Sequence, residues 1–110
     1  EEAIVMGISS DNEFCKLNWK QSNELIGNIK HTLACDAGLV LSANCGIINH
    51  TDLVSNRATF IVDAEGIIQY ASMNALDTGR NADEILRTIQ ALKAGGLTGC
   101  SWEAGDQFVA

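Results

Sequence analysis

The chain has 110 residues, 46% hydrophobic, with 7 Lys and Arg against 14 Asp and Glu, giving a formal net charge of -7. That length suits one domain, and that apolar share argues for a core over disorder. The acidic balance repels phosphate backbones, which argues against nucleic acid, and no apolar run approaches the roughly 20 residues that cross a bilayer.

Ala3-Ile4-Val5-Met6-Gly7-Ile8 is a continuous apolar run ending in Ser9-Ser10-Asp11-Asn12. It predicts a buried parallel strand followed by a loop and a helix start. Asp11 or Asn12 can cap that helix, and Glu13 suits its first turn. Phe14, Leu17, Leu25, Ile26 and Ile29 supply a helical stripe to about Lys30, with a break near Ser22. His31 to Cys35 predicts a second strand, Asp36-Ala37-Gly38 a turn, and Leu39 to about Gly46 a short helix. Asn49 to Asn56 reads as polar loop. Ala58 to Val62 and Ile67 to Ala71 read as strands joined by the turn Asp63-Ala64-Glu65-Gly66. Asp83 to Ala94 carries Ile85, Leu86, Ile89 and Leu92 at helical spacing, with Asp83 and Glu84 favouring its N-terminus. The stretch from Gly95 is glycine-rich and irregular. The order βαβαββα implies an α/β fold ending in an antiparallel hairpin, with residues 1–94 as the domain and 95–110 as a C-terminal tail.

Four cysteines stand at positions 15, 35, 45 and 100, none in a C-x-x-C pair. No basic, apolar leader opens the sequence, so a reducing cytoplasm is expected, where structural disulfides are rare. The default state of each thiol is buried and inert.

Several ordered segments resemble one family. Ile8-Ser9-Ser10-Asp11-Asn12-Glu13-Phe14 with Trp19 resembles V-S-x-D-S-x-F…W. Ile29-Lys30-His31 through Cys35-Asp36-Ala37-Gly38 resembles I-K-[HY]-x-[ML]-x-x-D-P-x-G. Arg57 to Ile68 resembles R-[AG]-x-F-[IV]-[IV]-D-x-x-G-x-[IL], and Asn74 to Glu84 resembles V-N-x-L-x-x-G-R-[NS]-x-[DE]-E. Ala91 to Leu97, with Trp102 and Gly105, resembles A-L-Q-x-G-E-[LV]-C-P-x-x-W-x-x-G. Together they resemble the C-terminal two-thirds of the alkyl-hydroperoxide-reductase C-type (typical 2-Cys) peroxiredoxins. The resemblance implies a thioredoxin-like, peroxiredoxin-type mixed sheet flanked by helices, without the family's N-terminal strands. It carries Arg57 onto the family's active-site arginine, which lowers the thiol pKa and binds peroxide, and Arg80 onto a supporting arginine. An ion pair with a carboxylate is the other expectation for Arg57. The family's peroxidatic cysteine lies in P-x-x-x-[TS]-x-x-C, upstream of anything in this chain. Aligned on Trp102, the resolving cysteine falls on Thr98, with Cys100 two residues further on.

In such a fold Cys15, Cys35 and Cys45 are expected near the C-terminal mouth of the parallel strands, and Cys100 in a tail that reaches a partner subunit. Four converging thiolates would hold a [2Fe–2S] cluster or zinc. His31 reads as structural, His50 as exposed, and Trp19 and Trp102 as packing or interface aromatics. Three functions follow. The first is a redox protein with a degenerate peroxidase site that transfers electrons through a cysteine-bound [2Fe–2S] cluster. The second is a thiol peroxidase reducing hydroperoxides, of which this chain is a part. The third is a non-catalytic assembly subunit. The resemblance also implies a homodimer or larger homo-oligomer and a redox partner protein.

Overall fold

The computed structural model describes residues 3–11, 13–27 and 30–109. The expected cap at Asn12 and stripe position Ile29 lie outside the described residues, as do the side chains of Glu13, Leu25 and Ile26. The backbone divides into two compact units, Glu2–Asn56 and Arg57–Ala110. Residues 95–109 fall in the second unit with the hairpin and last helix.

In the first unit β1 (Met6–Ser9) and β2 (Thr32–Cys35) run parallel, Met6 opposite Thr32 and Ser9 opposite Cys35. They are connected through α1 (Glu13–Ser22) and α2 (Glu24–Gly27), so the break expected near Ser22 falls at Asn23. β1 is shorter than the apolar run that predicts it, and it is not buried: Met6 and Ile8 are exposed, and Ile4 ahead of it is 97% exposed. Among the described residues each strand of this two-stranded sheet is paired along one edge only. Alternation puts Met6 and Ile8 on one and the same face, which is left open. The tie between α1 and the strands is polar. Lys16 is only 7% exposed, and its ammonium donates to backbone carbonyls at the ends of both strands.

α3 (Val40–Cys45) begins after Leu39, which adopts the left-handed region at φ 57°. The Asp36 carboxylate anchors it, accepting the Leu41 N–H at 3.1 Å, the Ser42 N–H at 2.9 Å and the Ser42 hydroxyl at 2.7 Å. Donation from the Ser42 hydroxyl, then from backbone N–H groups, holds the Asp36 carboxyl below its ordinary value. Gly46, at φ 70°, ends the helix with the left-handed cap that glycine adopts without a Cβ clash. The segment expected as polar loop contains a small antiparallel ladder, β3 (Ile48–Asn49) with β4 (Val54–Ser55). Asn49 makes the reversal, its Oδ1 accepting the Thr51 and Asp52 N–H groups at 3.0 Å each.

In the second unit β5 (Arg57–Val62) and β6 (Ile68–Asn74) form an antiparallel hairpin, Arg57 opposite Asn74 and Val62 opposite Ile68. The expected turn is built by Asp63. Its Oδ1 accepts the Glu65 and Ile67 N–H groups at 3.0 and 2.9 Å, and its Oδ2 accepts from Gln69 at 2.8 Å. These bonds, that from Ile67 foremost, lower the Asp63 carboxyl pKa. α4 (Ala82–Ala94) starts at Asn81, whose side chain accepts the Asp83 and Glu84 N–H groups at 3.0 and 3.3 Å. Beyond it the chain is irregular, as expected, but fixed. Trp102, 5% exposed, is the one buried large apolar side chain among the described residues. It stacks on Phe108 with ring centroids 6.0 Å apart and donates through Nε1 to the Asp106 carbonyl at 3.1 Å. Arg87 fixes the segment to α4, donating through Nη1 to the Trp102 carbonyl at 2.7 Å and through Nε and Nη2 to Glu84 at 2.6 and 2.8 Å.

Candidate functional site

Arg57 opens β5 with its side chain exposed. Its Nε donates to the Leu76 carbonyl at 2.6 Å, in the segment that follows β6. That segment is itself folded back: the Thr78 N–H donates to Ala75 at 3.0 Å, and Asn74 Nδ2 donates to the Gly79 carbonyl at 3.0 Å. Arg80 then returns to the hairpin, its Nε donating to the Ala58 carbonyl at 3.1 Å. Both guanidinium groups are thereby anchored at one end of the β5–β6 hairpin by a single nitrogen each. Among the described residues the ion pair is Arg87 with Glu84. The carboxylate partner expected as an alternative for Arg57 is not found there, and Arg80 has none either. A guanidinium pinned through Nε keeps its Nη donors for a polar or anionic oxygen, in a planar fork with little freedom left to lose.

The cysteines occupy element ends. Cys15 is the third residue of α1, Cys35 the last of β2 and Cys45 the last of α3. Cys100 lies in a turn closed by the Trp102 N–H on the Gly99 carbonyl at 3.3 Å. All four are exposed and outside any disulfide among the described residues, which corrects the expectation of buried thiols. For Cys35 and Cys45 the reason is local: a short strand and a short helix end in solvent, and these side chains sit at those ends. Cys15, Cys35 and Cys45 belong to the first unit and Cys100 to the second. Among the described residues no three His, Cys, Asp or Glu side chains gather to hold a metal ion. His31 is half-buried and His50 exposed, as expected. Sequence reasoning missed Lys16, Asp36 and Asn74. The Asp36-x-Gly38 turn before an apolar helix is the signal that would have found the second of these.

The chain matches the AhpC/TSA family over residues 1–71. It is 40% identical over 108 residues to alkyl hydroperoxide reductase C of Mycolicibacterium smegmatis, covering 98% of this chain and 55% of the relative. Reduced 2-Cys peroxiredoxin of Plasmodium vivax superimposes with a TM-score of 0.88 at 35% identity, covering 94% of this chain and 57% of that one. AhpC of Mycobacterium bovis gives 0.84 at 34% identity, covering 93% and 56%. The chain therefore spans about half the length of the curated relatives it matches, and its α/β fold is the peroxiredoxin-type, thioredoxin-like one that the sequence predicts. With a family match over more than half of its residues and a relative 40% identical along almost all of them, the chain belongs to the AhpC/TSA family.

Proposed function

We propose that this chain is part of a thiol peroxidase that reduces alkyl hydroperoxides, with Arg57 holding the peroxide and favouring the attacking thiolate. The observation that carries this reading is Arg57 itself. It is exposed, anchored through Nε to Leu76, and without a carboxylate partner among the described residues. The attacking thiol belongs to a P-x-x-x-[TS]-x-x-C motif, and residues 1–110 contain no proline. That thiol therefore comes from outside these residues.

The thiolate attacks one peroxide oxygen and the O–O bond breaks. The alkoxide leaves and takes a proton to become an alcohol, and the cysteine is left as a sulfenic acid. Arg57 lowers the pKa of the thiol and stabilises charge on the departing oxygen. Cys100, exposed in its turn, is the proposed resolving thiol: its sulfur bonds to the sulfenic sulfur and water leaves. A dithiol protein then reduces the disulfide. The same reading proposes a cytoplasmic homodimer or larger homo-oligomer, and the many exposed apolar side chains of the chain support self-association. No helix of the described residues is long and apolar enough to cross a membrane.

Trapping with a sulfenic-acid-specific diketone after one equivalent of cumene hydroperoxide, read by peptide mass spectrometry, tests the reading. The expected label is on a cysteine of the P-x-x-x-[TS]-x-x-C motif, and it increases in Cys100→Ser. First labelling at Cys15, Cys35 or Cys45, or no peroxide-dependent label, contradicts it.

A further inference from the structure

Lys16 is the most deeply buried charged side chain of the described residues, and nothing in the peroxidase reading uses it. Its Nζ donates to the backbone carbonyls of Ser9 at 3.3 Å, Asp11 at 2.9 Å and Ala34. An ammonium has three N–H donors, and here three carbonyl acceptors meet them. No carboxylate lies in ion-pair contact with it among the described residues. The Asp11 carboxylate instead accepts the Ser9 hydroxyl at 3.3 Å. The charge is thus balanced by carbonyl dipoles, the coordination that a desolvated monovalent cation requires. The three oxygens come from the end of β1, the loop after it and the end of β2.

We propose that these three carbonyls form a monovalent-cation cage, which the chain fills with its own ammonium, and that removing that ammonium opens the cage to a small cation from solution. Methionine at position 16 keeps an unbranched apolar stem but ends one heavy atom short. Lys16→Met therefore empties the Nζ position and leaves three carbonyls without a donor. An ammonium ion, with the same nitrogen and the same donor geometry, fits that position. Tetramethylammonium, bulky and without N–H groups, does not.

The test measures thermal unfolding of the protein and of its Lys16→Met variant in ammonium chloride and in tetramethylammonium chloride at equal ionic strength. The expected result is a Tm lowered by roughly 4–8 °C in the variant. Ammonium restores it saturably and tetramethylammonium does not, while the native protein shows no such difference. Equal behaviour of the variant in the two salts, or an unchanged Tm, overturns the proposal. A second measurement is independent of the variant's folding. In the isotope-labelled native protein, the Lys16 ammonium is expected to exchange slowly and to show scalar couplings to the carbonyl carbons of Ser9, Asp11 and Ala34. A rapidly exchanging ammonium without those couplings also overturns it.

Discussion

Arg57 and Arg80 are each pinned through Nε, the first to Leu76 and the second to Ala58, in a chain whose net charge is negative. What distinguishes them from Arg87 is the carboxylate: Arg87 grips Glu84 with two nitrogens, which raises its own pKa and lowers that of Glu84. Asp36 works in the opposite sense to a site residue, because its oxygens are fully used by α3. Its folded pKa is depressed, so its stabilising contribution is complete above the ordinary carboxylate value and is lost as pH falls through the folded value. Asp36→Ala is expected to lower Tm at neutral pH, with the gap from the parent closing as acid protonates the folded-state carboxylate. Urea or thermal melts across pH 2–7 check this, and a gap independent of pH would count against the assignment. The site arginine was legible in the sequence because the R-[AG]-x-F motif is contiguous. Lys16 was not, because its acceptors are carbonyls of residues 7, 5 and 18 positions away that no side-chain pattern encodes.

At the level of elements, α4 and the segment after it form one device. Asn81 starts the helix, Gly95 ends it at φ 77°, and Arg87 reaches across to the backbone of Trp102. Asn81→Ala is expected to cost about 1 kcal/mol, measured by denaturant unfolding. Trp102→Ala removes the buried anchor and is expected to cost about 3 kcal/mol, with faster proteolysis around Cys100. A more selective change is Gly96→Ala. An added Cβ there would lie 2.5 Å from the Phe108 ring, so the ring has to leave its stack on Trp102. Tryptophan fluorescence should shift accordingly while α4 helicity stays unchanged. The hairpin, α4 and the α1–α2 break were legible from turn residues and apolar spacing, because each is decided locally. The β3–β4 ladder was not: it is two residues long on each side, and Asn49 sets it through its own side chain. The tail was read only as irregular because glycine is frequent there, and its fixing contacts come from Arg87, outside that stretch, and from Phe108 near its end.

On the scale of the whole molecule, many large apolar side chains of the described residues are exposed. Register places Ala58, Phe60, Val62, Ile68, Ala71 and Met73 on one face of the hairpin, and Val62, Ile68 and Met73 are about half exposed. Phe14 and Leu17 of α1 are exposed as well. Large open apolar faces mark association, and sedimentation velocity is expected to show a species heavier than a monomer, whereas a monomer at all concentrations would contradict the proposed oligomer. The family was legible in the order of the motifs. The four-thiol cluster was inferred from cysteines at element ends, and sequence position alone carries no information on convergence: no gathering of metal ligands is found among the described residues. The account turns on Arg57, and the most direct measurement is the second-order rate constant for hydroperoxide consumption by the protein that carries the P-x-x-x-[TS]-x-x-C thiol with these residues, and by its Arg57→Ala variant, with folding checked by circular dichroism. The predicted result is a measurable peroxidase that loses about 10²–10³-fold in rate on removal of the guanidinium. An Arg57→Ala variant as fast as the parent, or a parent protein that consumes no peroxide, would contradict it.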